Sequence, residues 1–148
     1  MKIDIGGVEQ PIARSSSKAW QIGLWAAQIV LAILFGMPGA MKTFMTPEAM
    51  AAAGIASAPD LPLWLLRFIG VSELAGAIGM ILPAATRILP LLTPLAALGF
   101  VTIQVLAIGF HAIRGETSQT IAFNVVYLAL SLFVLWGRTK KLPIEPRS

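Results

Sequence analysis

Apolar and polar positions alternate along this chain in a way that predicts four long helices. Apolar runs at about 19–42, 61–83, 88–113 and 118–137 each reach the roughly 20 residues that a helix needs to cross a hydrocarbon core of about 30 Å. Within each run the polar residues recur at alternating steps of three and four, the spacing of one helical face. The first stripe reads Gln21, Trp25, Gln28, Ala32, Phe35, Gly39, Lys42, and the second Leu66, Gly70, Glu73, then Gly76 or Ala77, and Met80. The third reads Thr93, Ala97, Phe100, Gln104, Ala107, His111, and the fourth Thr120, Asn124, Tyr127, Ser131. Turning the four stripes inward spares these groups from lipid. The predicted fold is all-α, an integral membrane four-helix bundle running up-down-up-down.

The connectors refine the picture. Thr46, Pro47 and Glu48 have the order of an N-cap, an N1 proline and a first-turn acid, and Ala-rich sequence follows to Gly54, so a short surface helix is expected there. Pro38 and Gly39 are expected to kink or end the first helix early. Ser72, Ala75, Gly76 and Gly79 give the second span small faces on which a neighbouring backbone can come close. Residues 1–18 read as an N-terminal segment without the short basic region and brief apolar core of a cleaved signal peptide, so the first span is expected to remain. Residues 138–148 read as a basic tail, with Arg138, Lys140 and Lys141 at lipid headgroups.

Composition fixes the solvent. The chain is 57% hydrophobic and only 12% charged, with a mean hydropathy of +0.80, well outside the usual range of soluble domains. Membrane lipids are therefore partners. With four spans, Lys2, Arg14, Lys18, Arg87, Arg138, Lys140, Lys141 and Arg147 gather on one side, against Lys42, Arg67 and Arg114 on the other. The positive-inside rule makes both termini cytoplasmic. The net charge of +4 is then a topology signal and gives no reason to expect nucleic acid. Cysteine is absent, which excludes disulfides, thiolate metal sites and iron–sulfur ligation within the chain. Neither a metal-ligand cluster nor a covalent cofactor attachment motif is present.

Glu73 is the conspicuous residue. At 1.5 Å per residue it falls near the bilayer midplane, where a carboxylate must either be neutral or have partners. Gln104, Asn124 and Tyr127 are the expected hydrogen-bond partners, and Lys42 is the expected counter-charge reaching down from the outer end. His111 sits near that outer surface, either meeting a ligand or satisfied at the end of its helix. Arg67 is expected to snorkel to headgroups or to pair with Asp60 or Glu48.

The strings RFIGVSELAGAIGMILP, LLTPLAALGFVTIQVLAIGFHAIRGE and NVVYLALSLFVLWGR, with FGMPGAMKTF closing the first span, resemble the DoxX-like family of small bacterial membrane proteins over about residues 20–138. Gly39 and Lys42 match that family's Gly-x-x-Lys segment. The resemblance implies a four-helix bundle in the bacterial inner membrane and a likeness to the membrane subunit of thiosulfate:quinone oxidoreductase, with partner subunits expected. The leading expectation is thus a membrane subunit that binds a quinone or another apolar ligand for an oxidoreductase system whose redox centre is the quinone or lies in a partner. Glu73 would exchange protons, Phe35 and Phe100 would form the ring slot, and His111, Gln104, Asn124 and Tyr127 would meet the carbonyls, with Lys42 tempering the acid. The alternatives are a non-catalytic scaffold, in which the same groups only order the bundle, and a small transporter.

Overall fold

The computed structural model describes the backbone of residues 11–148 and the side chains from residue 17; most of the expected 1–18 segment lies outside the described residues. The order is α1 (Pro11–Phe44), α2 (Pro47–Ala52), a 3-10 turn (Ala58–Asp60), α3 (Leu63–Thr86), α4 (Leu92–Ile113), α5 (Thr117–Trp136) and a π-turn (Gly137–Lys141). No strand occurs among the described residues. Four segments, Ser17–Phe44, Leu63–Thr86, Leu92–Ile113 and Thr117–Lys141, are long and apolar enough to span a membrane. The shortest has 22 residues, about 33 Å of helix.

The long helices form a closed ring, with α1 and α4 each packed against both α3 and α5. Ala27, Leu31, Phe35, Met80, Ala97, Phe100 and Val134 fill its centre. These lie on the sequence stripes or beside them, whereas large apolar residues such as Ile33, Leu106 and Phe123 face outward. Buried polar side chains within the bundle, with large apolar ones also facing outward, are the order expected where lipid, not water, surrounds it.

Helix ends follow local chemistry. Thr46 Oγ1 accepts a hydrogen bond from Ala49 N, Pro47 begins α2, and Glu48 lies in its first turn, as the sequence predicts. Gly54 ends this element at φ +108°, where a side chain would be strained. Met50 of α2 then buries itself with Ala58 and Leu66, closing one end of the bundle. At the other end Arg87 and Leu89 of the α3–α4 connector both take positive φ, and the backbone N–H of Arg147 donates to Arg87 O. The C-terminal tail and this connector therefore share one end, as the charge distribution requires.

Pro38 does not end its helix. It sits inside α1, which continues to Phe44. A proline forfeits one helical hydrogen bond, but Leu31, Phe35 and Gly39 around it are all buried, and that packing carries the helix through.

Candidate functional site

A close crossing of α1 and α3 sets up the central ion pair. A Cβ added to Gly39 would lie 2.9 Å from Glu73 Cβ and 3.1 Å from Gly70 O; one added to Gly70 would lie 2.8 Å from both Lys42 Cβ and Gly39 O. Each glycine thus faces the charged residue of the opposite helix, and only hydrogen at both positions lets α1 and α3 meet backbone to backbone. The approach brings Lys42 Nζ to 2.8 Å from both carboxylate oxygens of Glu73. Glu73 is 4% exposed, so the pair is nearly dry, and the attraction between its charges is correspondingly strong. Arg67 completes the corner by donating from Nη1 to Lys42 O at 2.6 Å. That carbonyl lies in the last turn of α1, where no helical N–H remains to satisfy it. Arg67 therefore caps α1 and does not pair with Asp60 or Glu48.

None of the other expected partners hydrogen-bonds Glu73. Gln104 Nε2 donates to Asn124 O at 3.3 Å and to Asn124 Oδ1 at 3.4 Å, a loose link between α4 and α5 in which both side chains are buried. Tyr127 tilts its ring against Phe35 at 5.5 Å between centroids. Phe35 and Phe100 stack on one another, 3.8 Å apart and 7° from parallel. Each fills the slot that the other was expected to help form, so no third ring fits between them. The flat edge of Phe100 in turn rests where a Cβ of Gly76 would stand.

His111 is held at the outer rim, away from the ion pair. Its Nδ1 lies 2.9 Å from Glu116 Oε2, Arg114 Nε donates to Glu116 Oε1 at 2.7 Å, and Arg114 Nη2 donates to Asp60 Oδ2 at 2.8 Å. The four side chains tie the loop before α5 to the 3-10 turn before α3. The hydrogen bonds from His111 and then Arg114 hold the Glu116 carboxyl below its ordinary range. Asp60, expected as a partner for Arg67, belongs to this cluster.

A second polar layer lies at the opposite end. Arg138, read from the sequence as part of a headgroup-facing tail, is 3% exposed. Its Nε donates to Gln28 Oε1 and its Nη1 to Gln21 Oε1, both at 2.7 Å. Gln28 passes the link on through Nε2 to Met80 O at 2.6 Å, so α1, α3 and the end of α5 meet at one amide. The π-turn makes this possible: Leu142 N bonds to Gly137 O, widening the helix by one residue, and Gly137 leaves room for Leu24 where a Cβ would stand. The signal was present in the sequence, because Arg138 extends the stripe Asn124, Tyr127, Ser131 by further helical steps.

Outside the core, Ser72, Ala75, Gly76 and Gly79 of α3 and Ala96, Gly99 and Thr102 of α4 line a bilayer-facing groove of about 500 Å³ with Phe100 at its floor. No group of three or more potential metal ligands occurs among the described residues. No curated protein and no solved structure matches the chain. The DoxX-like family matches residues 26–134, a stretch that includes Gly39, Lys42, Glu73 and the whole aromatic core. With four membrane-length helices around that core and a match spanning most of its length, the chain is a membrane protein belonging to the DoxX-like family.

Proposed function

We propose that this protein is a non-catalytic membrane subunit, whose polar interior locks four spans together and whose outer surface serves the assembly of a larger membrane complex. The observation that carries this reading is the engagement of Glu73, the acid best placed for proton exchange, by Lys42 on both of its oxygens. The other buried polar side chains support it, since Gln104 is spent on Asn124 and Gln28 on Arg138 and Met80. Polar side chains that bond to one another across helices order a bundle without a ligand. Quinone analysis of protein purified in native lipid discs tests the reading. The expected result is no stoichiometric quinone, and no shift in melting temperature on adding quinone analogues.

A second reading keeps the quinone and moves its site. The groove between α3 and α4 opens to the bilayer, from which a lipid-soluble ring would enter, and its small side chains would admit a flat molecule against the edge of Phe100. On this reading Ser72 and Thr102 would meet the carbonyls, and the redox partner would dock beside the groove. Nothing stands within 4 Å of a Cβ at Gly99, so Gly99→Leu would fill the groove without disturbing the core. If analogues stabilise the natural chain but not Gly99→Leu, the quinone reading replaces the scaffold.

A further inference from the structure

The seam between α1 and α5 differs from the rest of the ring. Of the four neighbouring helix pairs these two are the least closely packed, and at the end that carries the C-terminus aromatic rings bridge them. Trp20 of α1 stacks on Phe133 of α5 with 6.0 Å between centroids and meets the edge of Trp136 at 5.6 Å. Lys141, in the π-turn, places its Nζ 5.2 Å from the centre of the Trp20 ring. Trp20 is half-buried, and Trp136 and Lys141 are exposed, so the patch is open to whatever surrounds the bundle.

An apolar track leads from this patch toward the middle of the bundle. Gly23, Ala26 and Val30 follow one another on α1 at helical steps of three and four, and Phe133, Ala129 and Val126 do the same in reverse on α5. Gly23 fixes the register of the two rows, because a Cβ placed there would lie 3.9 Å from Cζ of Phe133. Ala26, Val30, Ala129 and Val126 are all exposed.

The patch lies at the cationic end of the molecule. Lys18, Arg87, Arg138, Lys140, Lys141 and Arg147 gather there, whereas of the acids among the described residues only Glu145 does. No carboxylate among the described residues forms an ion pair with Lys140 or Lys141. An ammonium beside exposed indoles, at the end of a membrane-length helix and above an apolar track, is complementary to a lipid in each of its parts. The ammonium meets the phosphate, indoles settle at the level of the headgroups, and the track takes an acyl chain. A soluble anion would meet the ammonium and leave the indoles and the track bare. Lys140 adds a second positive charge beside the first, which favours a headgroup with a net negative charge over one that carries its own cation.

We propose that the α1–α5 seam binds an anionic phospholipid, with its phosphate at Lys141, its glycerol region against Trp20 and Trp136, and one acyl chain along the track. The site is separate from the α3–α4 groove and stands under either reading of the function above.

The test uses the full chain carrying Trp64→Phe, which removes the exposed indole at the other end of the bundle, in discs of phosphatidylcholine. Phosphatidylglycerol with brominated acyl chains, added at low mole fraction, should quench tryptophan fluorescence several-fold more than brominated phosphatidylcholine at the same fraction, and the quenching should saturate. Lys141→Gln should bind the brominated phosphatidylglycerol about fivefold more weakly, as the loss of one surface cation requires, and Lys141→Arg should restore it. Val126→Phe narrows the track without touching a charge and should also weaken binding. Arg147→Gln removes a charge at the same end but on the tail beside the α3–α4 connector, and should leave the quenching curve unchanged. Equal quenching by the two lipids would overturn the proposal. So would equal losses in Lys141→Gln and Arg147→Gln, which would mark a general attraction to the charged end, or full binding by both Lys141→Gln and Val126→Phe.

Discussion

Lys42, half-buried, and Arg138, buried, are both cations held within a membrane-spanning bundle, and the protein accommodates them in opposite ways. Lys42 meets a carboxylate on the neighbouring helix, and paired glycines bring the two helices close enough for a single ammonium to reach both oxygens. Arg138 meets no acid among the described residues and spreads its donors over two glutamine amides and a backbone carbonyl. The difference follows from the side chains. An ammonium is a compact point charge that one carboxylate can answer, whereas a planar guanidinium distributes its charge over a fork that several neutral acceptors can share. The first arrangement is sensitive to the loss of one residue, and the second to the loss of the helix geometry that gathers several.

The largest effect is expected from breaking the first arrangement. Glu73→Leu leaves the half-buried Lys42 unpaired, which should cost up to about 3 kcal/mol, read as a steep fall in melting temperature in detergent; Glu73→Lys should be worse. Glu73→Gln should be much milder, because the amide still accepts from Lys42. Adding Lys42→Met to Glu73→Leu should restore most of the loss. A double variant no better than the single would show that the two charges are not coupled. Next comes the crossing itself: Gly70→Ala must push α1 away from α3 and should cost about 1–3 kcal/mol by the same measurement, with Gly99→Ala as a neutral control.

The second arrangement should yield less to a single change. Gln28→Leu removes the acceptor of Arg138 Nε and the donor to Met80 O, at a cost of about 1–3 kcal/mol, limited because Gln21 still holds Nη1. A loss as large as that of Glu73→Leu would erase the distinction between the two layers. The smallest effect belongs to the exposed cluster at the rim. Because Glu116 is held below its ordinary value of 4.5, its contribution is fully present above that value and is lost as the pH falls through the lowered one. Glu116→Gln should therefore lower the melting temperature slightly near neutrality, and the difference from the natural chain should vanish as the pH falls through the lowered value.

The features that follow from helical period were readable from the chain alone. The four spans, the inward stripe carrying Glu73 and Asn124, the cap at Thr46 and the pairing of Glu73 with Lys42 all depend on spacing along one helix or on depth in the bilayer. Contacts set by tertiary geometry were less accessible. The sequence places Phe35 and Phe100 on inward faces but cannot tell whether the rings flank a space or fill it; Gly76 decides this by letting the Phe100 ring move in. Gln104 and Glu73 share a polar interior, yet helix rotation gives the amide to Asn124. Pro38 has a strong local preference against helix, which the packing around it overrides. Arg138 lies on the continuation of the α5 stripe, but a basic run after a hydrophobic span reads as a headgroup anchor, and only the contacts with Gln28 and Gln21 show which member turns inward.

The glycine crossing bears on how the protein enters the membrane. Its two charged residues belong to consecutive spans, so the first helical hairpin to leave the ribosome already contains both the cation and the acid that neutralises it. The pair can form before α4 and α5 are synthesised, sparing the inserting hairpin an uncompensated charge in the bilayer. Arg138 is made near the end of synthesis and reaches back to Gln28 and Gln21 on α1. The hydrogen bonds of Arg138 to α1 therefore need the whole chain, whereas the ion pair of Lys42 needs only the first two spans.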